Sequence, residues 1–332
     1  MTAPLIECEA APQPPGAEAR YLTAADGARL RVVRYPLPGG RPRRGTVLVH
    51  PGWSEFAEKY VEVARDLNER GFSVIVNDPR GQGYSQRLQG EDRRGHIDDF
   101  GLFVRDLGVV MDHVRATEPG PYVLLAHSMG GLISLEWLAE GHGADLAGVA
   151  LCAPLTNIFR SRAKAAFVGS VLATGKLLGR GTAPLPGVQE HSWQFDGNVL
   201  TQDAARHERF RQLQLAAPEA VAGLPKFDWL HAALAGMRRI QGKGALAGIG
   251  HRILLVSAER DETVDPLHHH ELAAAYPDLF EFLSIEGARH EILMEADAYR
   301  DRFFAAFDQY IDARVPPPPS VSSKAASSVP RT

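Results

Sequence analysis

Residues 123–132 read V-L-L-A-H-S-M-G-G-L. An apolar run stops at Ala126, a histidine and a serine follow, and two glycines open a helical pattern. A serine hydroxyl is a poor nucleophile unless a base lies within hydrogen-bond reach and an acid orients that base. A sharp strand-to-helix turn solves the exposure problem by presenting the serine on a strained corner at the edge of a sheet. Strand and helix approach closely there, so small residues are needed two before and two after the serine. Ser128 has Ala126 and Gly130 in those places, and no other serine has Gly or Ala two before and Gly two after. Glycine is usual at the first position, and alanine adds one methyl. Smallness matters there more than positive φ, so Ala126 is expected to fit with a modest local shift. The plain alternative is a tight turn without chemistry.

The base is expected late in the chain, after the acid. His290, in I-E-G-A-R-H-E-I-L-M-E, falls between the last predicted strand and the last predicted helix. The chain has 13 histidines, so position rather than residue type carries that assignment. The acid should follow the preceding strand, where S-A-E-R-D-E-T-V-D offers Glu259, Asp261, Glu262 and Asp265. Asp261 is favoured, and Asp265, directly before Pro266, suits a helix cap better. A tetrahedral intermediate also needs preorganised donors, each worth about 10²–10³ in rate. One is the amide of Met129. The other should come from H-P-G-W-S-E after the strand T-V-L-V-H; Pro51 has no N–H, leaving Gly52 or Trp53, with Trp53 preferred. His50-Pro51-Gly52 also suits a plain strand-ending turn.

These residues need a scaffold. A-R-Y-L-T and R-L-R-V-V-R-Y flank an Asp-Gly turn and predict a hairpin. T-V-L-V-H, F-S-V-I-V-N, P-Y-V-L-L-A, G-V-A-L-C-A, R-I-L-L-V-S and L-F-E-F-L-S-I are short apolar runs of the kind buried in parallel sheets. Helical patterns alternate with them over Tyr60–Arg70, Ile97–Thr117, Met129–Glu140, Pro266–Tyr276 and Tyr299–Ala313. The alternation predicts an α/β fold: a mostly parallel sheet with helices on both faces, led by an antiparallel hairpin. It is interrupted over 155–247, where helix-like pieces with Gly and Pro joints predict a helical cap above the carboxyl ends of the strands. The core is then 19–154 and 248–314. Segments 1–18 and 315–332, rich in Pro with Ala or Ser, are expected to be disordered.

The 332 residues, 45% hydrophobic and 23% charged, make an ordinary globular composition. A formal charge of -4 without a basic stripe argues against nucleic acid as a partner. Cys8 and Cys152 are too few for a disulfide framework. The start M-T-A-P-L-I-E-C-E-A lacks a basic, then apolar, secretory signal, and no apolar run is long enough to span a bilayer. A cytoplasmic location is expected, with transient peripheral contact with a membrane through the cap left open. His268, His269 and His270 are consecutive and point apart on a helix, so no metal site is expected, and D-P-R-G-Q-G-Y-S lacks the sequel of a dinucleotide fingerprint, so no cofactor is either. His96 beside Asp98 and Asp99 suits a helix start.

Taken together, H-P-G-W-S-E-F-A-E-K-Y, D-P-R-G-Q-G-Y-S, A-H-S-M-G-G and G-A-R-H-E resemble α/β-hydrolases of the monoacylglycerol lipase and lysophospholipase group. The likeness is closest to bacterial lysophospholipases, through the H-P-G-x-x-E-F-x-E-K-Y start, the alanine before H-S-M-G-G and N-x-L-T-x-D at Asn198–Asp203. It covers roughly residues 20–313. The resemblance implies the α/β-hydrolase fold and a Ser128–His290–Asp261 triad that cleaves the ester of an amphipathic single-acyl lipid. Asp78 and Arg80 would hold the loop beside the site, with His50 and Glu55 as structural neighbours. A carboxylesterase or amidase for another small acyl substrate is the alternative, and a silent hydrolase scaffold used for binding is the alternative from another class. Dehalogenase and epoxide hydrolase relatives carry Asp where Ser128 stands.

Overall fold

Strands apolar on both faces need helices on both faces. In the computed structural model, which describes residues 1–87, 95–185, 194–223 and 225–317, the runs named above form the centre of one eight-stranded sheet. The strands are β1 (Glu18–Thr23), β2 (Arg29–Tyr35), β3 (Gly45–His50), β4 (Phe72–Asn77), β5 (Tyr122–His127), β6 (Leu146–Cys152), β7 (Ile253–Ala258) and β8 (Phe280–Ile285). Their order is β1-β2-β4-β3-β5-β6-β7-β8. The β1–β2 and β2–β4 pairs are antiparallel, and every other pair is parallel. This is the α/β-hydrolase architecture, with the expected leading hairpin.

The two-residue period of the strands divides the core. Leu48, Ile75, Leu124, Ala126, Leu151 and Leu255 face the helices α2 (Gly101–Thr117) and α3 (Met129–Ala139). Val47, Val49, Val74, Val76, Val123 and Leu125 face α1 (Val61–Glu69) and α8 (Asp297–Asp312). Between β6 and β7 the chain forms α4 (Arg162–Leu177), α5 (Ala204–Ala216) and α6 (Phe227–Ile240), and α7 (Pro266–Ala275) then leads to β8. The insertion bears on the ends of the strands through α6: Trp229 meets Trp53 after β3 with ring centroids 4.4 Å apart. Part of the 155–247 segment, residues 186–193 and 224, lies outside the described residues.

Three expectations change. The helix expected from Ile97 begins at Gly101, because Asp99 accepts the Gly101 N–H at 2.9 Å and holds the preceding residues in a turn. Residues 1–18 are not loose: Ala3, Ile6 and Ala11 are buried, and the segment pairs with the free edge of β1 through Ala3 N–H to Ala19 O at 2.9 Å and Tyr21 N–H to Met1 O at 2.8 Å. Composition missed this because an exposed sheet edge supplies backbone partners to a chain that has no periodic face of its own. At the other end Val315 is still buried, so the start of the tail expected over 315–332 is packed, and residues 318–332 lie outside the described residues.

Candidate active site

β5 delivers Ser128, and its geometry is that of a strained corner. Its φ of 48° and ψ of -116° are rare for a residue with a side chain. The surroundings hold it there: Ser128 N–H donates to Cys152 O at 3.0 Å, and Ser128 O accepts from Gly131 at 2.9 Å and Leu155 at 2.8 Å. The corner also needs a bare Cα behind it. A Cβ on Gly130 would stand 2.3 Å from His50 O and 2.6 Å from Pro51 O, which are backbone atoms. Ala126, fully buried between its partners His50 and Leu151, carries its methyl into the core below the corner. The extra methyl sits where the strand still runs straight.

β8 ends just before His290, and β7 just before Asp261. The Ser128 hydroxyl donates to His290 Nε2 at 2.9 Å, and His290 Nδ1 donates to Asp261 Oδ2 at 2.6 Å. Asp261 is fixed by its own loop, since Oδ1 accepts the amides of Thr263 at 2.8 Å and Val264 at 2.9 Å. Those bonds leave Oδ2 for the imidazole; burial works against the charge, but His290 above all, and then the two amides, hold the carboxyl below its usual range. Burial pushes the His290 imidazole down, but the Asp261 carboxylate more than offsets this, so the ring binds a proton more tightly than an ordinary histidine. Asp265, the other acid considered, accepts the Leu267 amide at 3.2 Å as the cap of α7. The three residues therefore form one hydrogen-bonded line that can draw a proton off a serine hydroxyl.

The backbone around Ser128 supplies dipoles. Met129 N–H opens the first turn of α3, where amides have no partner within the helix. Of the two amides after β3, that of Gly52 is already committed, because it donates to Glu55 Oε2 at 2.5 Å. Trp53 carries the next amide along the same turn. The peptide 52–55 is clamped by Gln82, whose Nε2 donates to Gly52 O at 2.9 Å and whose Oε1 accepts Ser54 N–H at 2.8 Å.

Under the site lies a buried ionic cluster. Glu55 pairs with Lys59 Nζ at 2.7 Å and His127 Nδ1 at 3.1 Å, and it accepts the Tyr60 hydroxyl at 2.5 Å. Lys59 bridges onward to Glu291, the neighbour of His290, at 2.6 Å. Burial works against a charged Glu55, yet Lys59 and His127 hold its carboxyl well below the usual range. Glu55 touches the Gly52 amide and the His127 ring. Lys59, His127, Glu291 and Gln82 were missed, although each stands inside a quoted motif: E-K-Y, A-H-S-M-G-G, G-A-R-H-E and G-Q-G respectively.

The remaining expected neighbours lie one layer out. Asp78 accepts Arg31 Nε at 2.7 Å and the amides of Ala57 and Tyr84, both at 2.8 Å, joining the loops after β3 and β4. Arg80 clasps Asp106 of α2 with both nitrogens, at 2.6 and 2.7 Å, and also reaches Asp26 in the hairpin turn. His50 Nδ1 meets Asn77 Oδ1 at 2.7 Å, and burial pushes this imidazole down to about 4, so it stays neutral. The side-chain bonds of these three run to the strands, loops and α2 around the site: to Asn77, to Arg31, Ala57 and Tyr84, and to Asp106 and Asp26. His268, His269 and His270 turn to Thr156, to Ser257 with Pro154, and to the ring of Phe282.

Known proteins resemble this chain to different degrees. Lysophospholipase L2 of Escherichia coli K12 is 31% identical over 299 residues, covering 84% of this chain and 83% of that protein. Human monoglyceride lipase is 38% identical over 136 residues, 41% of this chain. Among solved structures, a soluble variant of monoglyceride lipase from Saccharomyces cerevisiae superposes with a TM-score of 0.71 at 20% identity, covering 91% of this chain and 98% of that one, a likeness of fold. The family model described as serine aminopeptidase, S33, matches residues 41–297. With that match spanning every strand from β3 to β8 and the Ser128, Asp261 and His290 loops, the chain belongs to the serine aminopeptidase S33 family of α/β-hydrolases.

Proposed function

We propose that this hydrolase cleaves the carboxylic ester of a single-acyl lipid, a lysophospholipid or a monoacylglycerol, through an acyl-enzyme on Ser128. The observation that carries the reading is the hydrogen-bonded line from Ser128 through His290 to Asp261, at 2.9 and 2.6 Å. Ser128 Oγ attacks the ester carbonyl as its proton passes to His290 Nε2, and Asp261 stabilises the imidazolium. The carbonyl oxygen becomes an oxyanion that takes the amides of Met129 and Trp53. His290 then gives its proton to the departing alcohol. Water, deprotonated by the same imidazole, releases the fatty acid.

Two considerations support a lipid. The relative that aligns over 84% of this chain is a lysophospholipase, and the shorter match is a monoglyceride lipase. The insertion 155–247, proposed as the cap, lays Trp229 of α6 against Trp53, in an apolar cluster that also takes in Phe227, Leu230 and Leu155, a surface suited to an acyl chain. We further propose that the cap touches lipid surfaces through α4, whose Phe167, Leu177 and Leu178 are more than two-thirds exposed. No helix among the described residues is long and apolar enough to cross a membrane, which leaves surface contact as the mode.

A fluorophosphonate probe should label the protein but not Ser128→Ala, and the substitution should lower hydrolysis by at least about 10⁴-fold. A panel of lysophospholipids, monoacylglycerols, short-chain esters and aminoacyl anilides tests the substrate. Release of fatty acid from the first two classes is expected. Preferential turnover of the anilides would instead make the protein the peptidase that the family description names.

A further inference from the structure

The segment before the first strand is built into the wall of the oxyanion loop. Pro4 O accepts Arg31 Nη1 at 3.0 Å, and Ile6 N–H donates to Glu58 Oε1 at 2.9 Å. Arg31 and Glu58 are completely buried and paired at 2.6 Å, and Glu58 belongs to the 3-10 turn Ala57–Tyr60 that directly follows Glu55 and Phe56. The apolar contacts go the same way. Ile6 and Ala11 are buried in one small cluster with Phe56, on the loop after β3, and with Leu213, Ala217 and Ala220, from α5 and the turn after it. Phe56 and Phe210 of α5 meet with ring centroids 5.5 Å apart, and Ser54 Oγ donates to Ala222 O at 3.3 Å. Three pieces distant in sequence therefore converge on residues 53–58. One is the segment itself, one is the core loop and one is the insertion. The family match begins only at residue 41, so family membership assigns this segment no role.

We propose that residues 1–13 act as a positioning strap, which fixes the Trp53 amide for the oxyanion by locking Phe56 and Glu58 between the core and the insertion; this rests on the serine-hydrolase reading above. The strap touches no reacting atom. It works through two attachments, an apolar one at Phe56 and a polar one at Glu58, one and three residues after Glu55. Glu55 in turn holds Gly52 N–H, the residue before Trp53. A shift of the loop by a fraction of an ångström would misalign the amide without emptying the acyl site, because the proposed lining of that site is Trp229 of α6, which the strap does not hold.

The test compares the full chain with a variant lacking residues 2–13 and with Ile6→Pro, which removes the N–H offered to Glu58. Active sites are first counted by fluorophosphonate titration, so that unfolded molecules drop out. Per titrated site, both variants should lose about tenfold in kcat with KM within about twofold, and a trifluoromethyl ketone, which forms the oxyanion, should weaken by about the same tenfold. A kcat per titrated site equal to the wild type, whatever happens to Tm, overturns the proposal and leaves the strap as a stabilising segment. So does a change confined to KM. If the shortened chain yields no titratable sites, Ile6→Pro decides alone. A wild-type protein unlabelled at Ser128 would defeat the hydrolase reading itself, a result distinct from either of these.

Discussion

In the proposed mechanism, a proton on His290 decides whether the Ser128 hydroxyl has anywhere to send its own. The base works only when neutral, and the Asp261 carboxylate raises its affinity for a proton above the ordinary histidine value of 6.5. Activity should therefore rise with pH along a limb centred above 6.5. In Asp261→Asn the charge that raises the ring is gone and burial dominates, so the limb should move to lower pH. The same substitution removes the acceptor that keeps the proton on Nδ1, and kcat should fall by about 10⁴. A pH–rate profile of both proteins measures the two effects together; a limb that stays in place would show that Asp261 does not set the base. That Ser128, His290 and Asp261 should meet was legible because each follows a strand at a fixed place in chain order. The cluster beneath them was not, since Lys59 and Glu291 meet across 232 residues of sequence and neither residue type announces a partner.

At the scale of elements, the elbow works because β5, α3 and the loop after β3 crowd together, and glycine is needed only where backbone meets backbone. Gly130→Ala would place a methyl 2.3 Å from His50 O, forcing the loop that carries Trp53 to move. It should cost about 1–3 kcal/mol of stability and about 10²-fold in kcat. Ala126→Gly is the contrasting case: kcat should stay within about threefold while stability drops by about 1 kcal/mol through the added chain entropy. Denaturant unfolding and steady-state kinetics on the pair check both, and a Gly130→Ala enzyme of normal activity would mean that the loop yields freely. The order of strands and helices was readable because burial on one or two faces writes a period of two or 3.6 into the sequence. The segment 1–17 was not, because its order comes from the edge of β1 and from Arg31 and Glu58, none of which lies within it.

Across the whole molecule the charges are unevenly spread. The net charge is -4, yet from Leu146 to Gln189 there is no Asp or Glu, while Arg160, Arg162, Lys164, Lys176 and Arg180 all fall in that stretch. α4 runs through its middle, with Phe167, Val171 and Leu178 recurring along one exposed strip and Lys164, Lys176 and Arg180 exposed around it. An apolar strip ringed by cations, on a helix held to the core by its buried Leu172, matches a surface of anionic headgroups over hydrocarbon. Binding to phosphatidylglycerol vesicles should therefore exceed binding to phosphatidylcholine vesicles and weaken as salt screens the cations. Burying a phenylalanine or leucine contributes about 1.5–3 kcal/mol, so Phe167→Asp with Leu177→Asp should lower vesicle affinity by well over about tenfold. Turnover of a water-soluble ester should be unchanged, because both side chains are more than two-thirds exposed to solvent. Sedimentation with the two vesicle types reads this directly. Equal binding to both lipids would remove charge from the account, and full binding by the double variant would place the contact on another face.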